Sequence, residues 1–349
     1  MTGITPFISF ILPVWNENEY ISDTLKSILC QAAPEKYEIL ISDGGSKDGT
    51  LEIINSFIQD NSNVHLIDNP QKIVSTGFNL ALNEAKGDII IRIDGHCEIP
   101  PDYLEKCITL LENKNVDIVG GIIDTISPGI VGTAISIAQS SPFGVGGVKF
   151  RSMDLDEGSY VDTLAFGVHR REIFGCIGGY DEEMICNQDD EFNFRAIQAG
   201  KNIWMDPAIK TKYYARSSYL KLFRQYFYYG CYKVRGIQKR RHIFSFRHII
   251  PSIFIPALLV TLINGYFLQQ AWISFSVVSI YLIFNFAASI FSTPSFRLIP
   301  FISFAFWTLH SGYGLGFIWG LFRFINKWKD TELKDFNFNK EHFCSHNLK

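Results

Sequence analysis

Acidic side chains recur at four stations along the chain: Glu17, Asp43, Asp94 and the run Asp189-Asp190-Glu191. The most informative is Asp43, which opens DGGSKDGT (43–50) after the apolar run YEILIS (37–42). A buried strand that ends in a carboxylate and two glycines can turn sharply and let a ligand approach the backbone. That carboxylate suits the N–H of a uracil or the hydroxyls of a ribose. Asp48 reads as the N-cap of a helix that begins near Gly49. Gly and Asp are also ordinary turn formers, so this stretch alone does not separate a binding loop from a plain connection. The convergence of four acidic stations does.

The elements that must bring these stations together are strands alternating with helices. Strands are expected at 8–12, 37–42, 64–67, 88–93 and 116–119, with helices near 19–30, 51–59, 73–85 and after Pro101. This rhythm makes βαβ units and a mostly parallel sheet, whose ligands bind outside the carboxyl ends of the strands. Glu17 follows the first strand, Asp43 the second and Asp94 the fourth. Residues 126–148, rich in Gly, Ser and small apolar residues, read as a helix and flexible loop near the site. A strand at 161–168, a short helix from Arg171, the helix NQDDEFNFRAIQA (187–199) and a strand at 202–205 follow. The acidic start of 187–199 suits the positive end of a helix dipole.

The chain has 349 residues, enough for one large domain and a second region. A net charge of −3 gives no sign of a nucleic-acid partner. Apolar content of 47% is high for a water-soluble chain, and the surplus lies in 249–322, where only Arg297 and His310 interrupt. Seven cysteines without a CxxC pair read as reduced thiols. The first residues lack the basic region of a signal peptide.

Residues 217–248 combine apolar and aromatic residues at helical spacing (Leu220, Phe223, Phe227) with Lys221, Arg224, Lys233 and Arg235, a pattern suited to a membrane interface. Three apolar stretches follow, at 249–268, 271–292 and 298–322, each near or above the roughly 20 residues that cross a bilayer. Six Lys/Arg between Lys233 and Arg247 place residues 1–215 on the cytoplasmic side. Three crossings would put the tail outside, yet Arg323, Lys327, Lys329 and Lys334 favour the inside. Either the third stretch is re-entrant at SGYGLG (311–316) or an earlier one does not cross.

PVWNENE (13–19), DGGSKDGT, Asp94-Gly95-His96 and NQDDEFNFR together resemble the family 2 glycosyltransferases, over about residues 7–210. The apolar C-terminal region and SSPFGVGG (140–147) are similar to the bacterial exopolysaccharide enzymes of the succinoglycan-biosynthesis type. The resemblance implies an α/β, GT-A (Rossmann-like) domain with a mostly parallel sheet, followed by C-terminal transmembrane helices. The expected organisation is a catalytic domain at 1–215, an interfacial segment at 216–248, two to three spans in 249–325 and a polar tail at 326–349.

It further implies that Pro13, Val14, Glu17, Asp43 and Asp94 bind the nucleotide, with Asp43 at the uracil. Asp94 begins the position of the family's Asp-X-Asp, which binds the ribose and a divalent metal that offsets charge on the departing diphosphate. His96 replaces the second Asp. An imidazole ligand favours Mn²⁺ over Mg²⁺, so Asp94 and His96 are the expected metal residues, unless another group such as Glu98 completes the site. Asp189 matches the general base. Asp190 is the runner-up, because neighbours on a helix point about 100° apart.

The implied reaction is inverting transfer from a nucleotide sugar, expected to be UDP-linked, to an undecaprenyl-diphosphate-linked saccharide at the bacterial inner membrane. Processive relatives carry Gln-X-X-Arg-Trp, and here Gln225 lacks the Arg-Trp pair, which implies one sugar per acceptor. Arg224, Lys233 and Arg235 suit a lipid diphosphate. A polyprenyl-phosphate sugar synthase is the neighbouring reading. A non-catalytic nucleotide-binding module is opposed by the joint presence of Asp43, Asp94 and Asp189, and a transporter by spans nearly free of ionisable residues.

Overall fold

The computed structural model describes residues 6–31, 36–153, 155–215, 217–241, 249–267, 269 and 271–344. Arg247, one of the six basic residues weighed above, lies outside them. In chain order the elements are β1 (Ile8–Val14), α1 (Ile21–Leu29), β2 (Tyr37–Asp43), α2 (Thr50–Asp60), β3 (Val64–Asp68), α3 (Val74–Glu84), β4 (Ile89–Arg92), β5 (Cys97–Glu98), α4 (Tyr103–Asn113) and β6 (Ile118–Ile126). They continue with α5 (Gly129–Ser140), α6 (Pro142–Val145), β7 (Ser159–Tyr160), β8 (Val168–Arg170), α7 (Glu172–Ile177), α8 (Gln188–Gln198), β9 (Ile203–Tyr214) and α9 (Tyr219–Arg240). The last four are α10 (Ile249–Phe267), α11 (Ala271–Phe291), α12 (Ile299–Arg323) and α13 (Glu341–Cys344). The chain forms two compact units: 1–124 with 154–213 and 333–349, and 125–153 with 214–332.

The first unit is built on one mixed sheet of order β3-β2-β1-β4-β8-β6-β9-β5, with β7 on β9. The β3-β2-β1-β4 block is parallel, and β8 enters antiparallel between β4 and β6. Every residue of β1 is buried, as a central strand covered on both faces requires. Ile21, Leu25 and Ile28 form the buried stripe of α1. The parallel register sets Val14 opposite Asp43, and Asp43 opposite Asp68, at the carboxyl edge.

Two strands differ from the sequence reading. The expected strand at 161–168 is irregular until Val168. Asn193 of α8 donates to Leu164 O (2.8 Å), and Thr163 donates to Asp190, so this segment is held by a helix instead of a ladder. The expected strand at 202–205 runs on through Pro207 to Tyr214. The mostly parallel sheet that was expected is present as the β3-β2-β1-β4 block, and the strands beyond β4 make it mixed.

The second unit is helical. α9 and α12 pack along their length through small residues. A side chain added at Gly312, Gly316 or Gly320 would strike the backbone carbonyl of Phe223, Phe227 or Cys231 respectively. This small-residue spacing permits close backbone approach. It also explains why α12 continues without a break through SGYGLG, where re-entry was one expectation. Residues 142–145, expected in a flexible loop, form α6, and Phe143 packs on Phe306 and His310 with its carbonyl 2.9 Å from His310 Nε2. Among the described residues one helix, over Trp272–Phe291, is long and apolar enough to cross a membrane, and Ser252–Phe267 is a shorter apolar helix. Arg235 and Lys233 are not available to a lipid headgroup: both are buried. Arg235 is spent on the carbonyls of Lys327 and Asp330 and on the Asp330 carboxylate.

Candidate active site

The ends of β1 and β2 are tied into one edge. Asp43 Oδ2 accepts from the backbone N–H of Gly45 (2.7 Å) and Ser46 (2.9 Å), and Oδ1 accepts from the Ser46 hydroxyl. The same hydroxyl accepts from Asn16 N (2.8 Å), and Asn16 Oδ1 accepts from Lys47 N (2.9 Å). Asp48 is not itself the N-cap of α2: that position is Gly49, at φ +100°. Asp48 acts one residue earlier, accepting from Thr50 N (3.1 Å) and Asn18 N (3.2 Å) and so joining the two loops. Pro13 and Val14 contribute as framework. Pro13 sits inside β1 opposite Ser42, and Val14 O accepts from Gly44 N (2.9 Å). Trp15, which the sequence reading passed over, lies against Gly44 with its side chain exposed beside Asp43.

Gly95 lets the loop after β4 reach this edge, since a Cβ there would stand 2.9 Å from Val14 Cγ1 and 3.0 Å from Glu17 Cγ. His96 Nδ1 lies 2.9 Å from Glu17 Oε1. Facing a carboxylate, Nδ1 carries the hydrogen and leaves a lone pair on Nε2. Glu17, expected on the nucleotide, therefore makes its observed contact with His96. Cys97 is buried, and burial pushes its thiol well above the ordinary range, which keeps it from acting as a thiolate ligand.

Asp94 Oδ1 accepts from Arg92 Nη2 at 2.8 Å. Arg92 is buried, and burial by itself lowers its pKa. Asp94, with lesser contributions from Tyr180 and Asp189, instead raises its pKa. Its guanidinium lies 5.8 Å from the Tyr180 ring centroid. Arg92 thus holds Asp94 and faces Tyr180, while the nearby Asp189 charge favours its protonated form; neither Arg92 nor Tyr180 was singled out from sequence. An arginine closing the apolar strand IIIR was the available signal.

The three neighbouring acids of α8 have three different surroundings. Glu191 is fully buried and paired with Arg195 at 2.8 Å, which also donates to Gly179 O (2.7 Å). Asp190 Oδ1 accepts from Thr163 Oγ1 at 2.7 Å. Asp189 lies near enough to Arg92 to help hold its charge. Glu191 is a framework residue, and Asp190 is anchored sideways.

Among the described residues no three His, Cys, Asp or Glu side chains form a ready metal cage. The donor set still fits a divalent ion that takes its remaining ligands from a diphosphate. Asp94 offers a carboxylate oxygen and His96 the Nε2 lone pair. A carboxylate on the far ring nitrogen, here Glu17, is the usual support of a metal-binding histidine.

A mixed sheet with acidic loops gathered at the carboxyl ends of β1, β2 and β4 defines the GT-A type of glycosyltransferase fold. The chain belongs to the glycosyl transferase family 2, whose model matches residues 9–177. It is 32% identical over 248 residues to the succinoglycan biosynthesis protein ExoA of Rhizobium meliloti, covering 70% of this chain and 74% of the relative. It is also 32% identical over 273 residues to a dolichyl N-acetyl-alpha-D-glucosaminyl phosphate 3-beta-D-2,3-diacetamido-2,3-dideoxy-beta-D-glucuronosyltransferase of Methanococcus voltae, covering 74% and 82%. The mannosyltransferase PcManGT of Pyrobaculum calidifontis, solved with GDP-Man and Mn²⁺, shares the fold: TM-score 0.63 over 92% of this chain and 88% of that one, at 14% identity.

Proposed function

We propose that this glycosyltransferase moves one sugar, with inversion, from a UDP-sugar to an undecaprenyl-diphosphate-linked saccharide during exopolysaccharide or surface-polysaccharide assembly. The observation that carries the reading is the gathering of Asp43, the Glu17–His96 pair and the Arg92–Asp94 pair at the carboxyl ends of β1, β2 and β4, with the Asp189 charge near enough to favour protonated Arg92, within one compact unit.

Asp43 accounts for the preference for uridine. A carboxylate has about four lone-pair sites. Gly45 N, Ser46 N and the Ser46 hydroxyl take three, leaving one on Oδ1. One site matches the single N3–H of uracil, whereas guanine offers two adjacent donors. The exposed Trp15 ring beside it suits stacking on a flat base. Asp94 and His96 Nε2 would hold a divalent ion, Mn²⁺ in preference to Mg²⁺, which would supply positive charge to offset that of the leaving diphosphate. Asp189 takes the proton of the attacking hydroxyl as the new glycosidic bond forms. Asp190 is the weaker candidate, since Thr163 already occupies one of its oxygens.

Two observations support a membrane location. Phe275, Ile283, Phe284 and Phe291 are exposed to 72%, 66%, 63% and 90%, an apolar surface that water would disfavour. The chain leaves the first unit after Tyr213 and rejoins it at Leu333, which requires that any bilayer crossings between them be even in number. α10 and α11 as the two crossings meet that count, with the catalytic unit and the C-terminus both cytoplasmic. The relative that carries a dolichyl phosphate substrate in its name favours a lipid-linked acceptor.

The test is a radiolabel screen. Membranes holding the full chain are offered UDP-sugars and GDP-mannose with undecaprenyl-diphosphate-linked acceptors. Label from a UDP-sugar should enter the lipid extract. Label that stays in water-soluble products overturns the lipid acceptor, and a preference for GDP-mannose overturns the reading of Asp43.

A further inference from the structure

The last described residues return to the catalytic unit after the apolar helices. Lys334 O accepts from Glu182 N (2.7 Å), and Asp335 Oδ2 accepts from Gly179 N (3.3 Å). Asn337 grips Glu182 twice, through its backbone N to Oε1 (2.9 Å) and through Nδ2 to Oε2 (2.8 Å). Asn339 N donates to Asn83 Oδ1 of α3 (2.8 Å), and Asn83 Nδ2 donates to Asn337 O. Apolar contacts lock the end: Phe343 packs on Phe338 (5.0 Å between centroids) and Phe174 (6.1 Å), under the Arg171 guanidinium at 4.2 Å.

The segment so gripped, 178–184, leads directly into the catalytic helix. Its polar links run inward. Asn79, fully buried on α3, donates to Glu182 Oε1 and to Tyr180 O, and accepts from Tyr180 N, each at 2.8 Å. The Tyr180 ring faces Arg92, which holds Asp94. Met184, whose carbonyl accepts from Ser75, lies just ahead of Asn187 at the head of α8. The buried bonds among Asn79, Tyr180 and Glu182 favour one geometry, because each broken bond leaves a buried polar atom unpaired.

We propose that residues 333–344 are a strap that positions Tyr180 and the Asp189 end of α8, with the Glu182–Asn337 pair as its clasp. The proposal rests on the reading of Asp189 as the base. Asp335 and Asn337 bond to Gly179 and Glu182, act through them and are positioning residues. Although Glu17, Asp43, Asp94 and Asp189 all lie within residues 1–215, the structure that holds Asp189 in place includes residues more than a hundred positions later.

The clasp permits an exchange test in the full chain. Asn337→Asp sets two carboxylates against each other, whereas Glu182→Gln is the milder single change, because a flip of the Asn337 amide answers the new NH₂ with Oδ1. Combining them restores a donor, now at position 182, opposite an acceptor at position 337. The amide oxygen that remains at position 182 still accepts from Asn79 and from the backbone N–H at position 337. Two readouts are taken: steady-state kinetics with the donor found active in the screen, and amide hydrogen exchange of peptides covering 178–192, which needs no substrate. Asn337→Asp should lower kcat by roughly tenfold or more, as small misplacement of a catalytic group does, with donor KM held within about twofold. It should also speed exchange in 178–192 by roughly tenfold. The double variant should return both to within about threefold of the parent. Unchanged kcat and exchange in Asn337→Asp, or a double variant no better than Asn337→Asp, overturns the strap. A kcat loss that tracks melting temperature and vanishes on cooling shows a merely structural tail and overturns it as well. Asp189→Asn is run alongside. Full turnover there defeats the base assignment, while the exchange readout still judges the strap.

Discussion

The donor edge and the α8 edge of this site are built in opposite ways. At the donor edge each functional side chain is held by neighbours within its own loop or the adjoining one: Asp43 by Gly45 and Ser46, Glu17 by His96, Asp48 by Thr50. At the α8 edge the supports come from across the chain. Arg92 arrives from β4, Asn79 from α3, Thr163 from the segment before β8, and Asn337 from the tail. Binding a nucleotide needs a rigid local cradle, whereas placing a base against an incoming hydroxyl needs several elements to agree. Changes at the donor edge should therefore appear in donor KM or metal requirement, and changes at α8 in kcat.

The largest effect is expected at α8. Asp189→Asn should reduce kcat by about 10²–10⁴-fold with donor KM nearly unchanged, the scale of removing a positioned base. Asp190→Asn should cost far less, since its oxygen holds Thr163. Steady-state kinetics with isothermal titration of UDP checks both. If Asp190→Asn is the more damaging change, the assignments exchange places.

Next comes the metal side. EDTA should abolish transfer and Mn²⁺ restore it at least as well as Mg²⁺. Glu17→Gln should raise the Mn²⁺ concentration for half activity by about 10–100-fold, the usual cost of losing the support behind a metal-binding histidine. Direct Mn²⁺ binding followed by electron paramagnetic resonance provides a readout separate from turnover. His96→Ala with an unaltered metal requirement would remove His96 from the site.

The contrast also decides what could be read from the sequence. The β-strands carrying Glu17, Asp43 and Asp94 were legible because apolar runs and turn residues are local signals. DGGSKDGT and PVWNENE were legible for the same reason. The α8 side was legible only as NQDDEF. Three adjacent acids give no hint that Glu191 pairs with Arg195, that Asp190 holds Thr163, or that Asp189 shares Arg92 with Asp94. The strand expected at 161–168 failed because its hydrogen bonds go to Asn193 and Asp190, partners about thirty residues away. The break expected at SGYGLG failed because its glycines answer the α9 backbone and not a turn. The tail reads as polar and unremarked until the fold shows it against Glu182.

A third measurement separates global stability from either edge. His169 lies on β8 between β4 and β6, packed against Phe174 and Phe192. Burial lowers its pKa to about 4 from 6.5, so it is neutral in the folded protein. Between pH 6.5 and 4 the unfolded chain binds a proton that the folded chain refuses, and stability falls as pH falls through that window. From about pH 8 to about pH 5 the loss is about 2 kcal/mol. His169→Gln should melt lower at about pH 8 yet lose less on acidification. An equal pH-dependent loss in the variant would show that another group is responsible. Kinetic comparison of the two edges therefore belongs above about pH 7.

The smallest effect is expected from Ser46→Ala, and it tests the comparison most sharply. The Ser46 hydroxyl donates to Asp43 Oδ1 and accepts from Asn16 N at 2.8 Å, so it bonds to the loops after β1 and β2 at once, directly at the Asp43 carboxylate. Alanine keeps the Ser46 backbone bond to Asp43 Oδ2 but leaves Asn16 N and one Asp43 oxygen without a partner. Each loss in a partly buried place costs about 1 kcal/mol, and water recovers some of it at an open edge. Donor KM should rise by about three- to tenfold. Turnover should stay within about twofold, because no bond from Ser46 reaches Arg92, Tyr180 or α8 among the described residues. Ser46→Thr, which keeps the hydroxyl, should recover most of the affinity. If Ser46→Ala instead lowers kcat and leaves KM alone, the two edges act as one unit, and the division between a local cradle and a long-range base support fails.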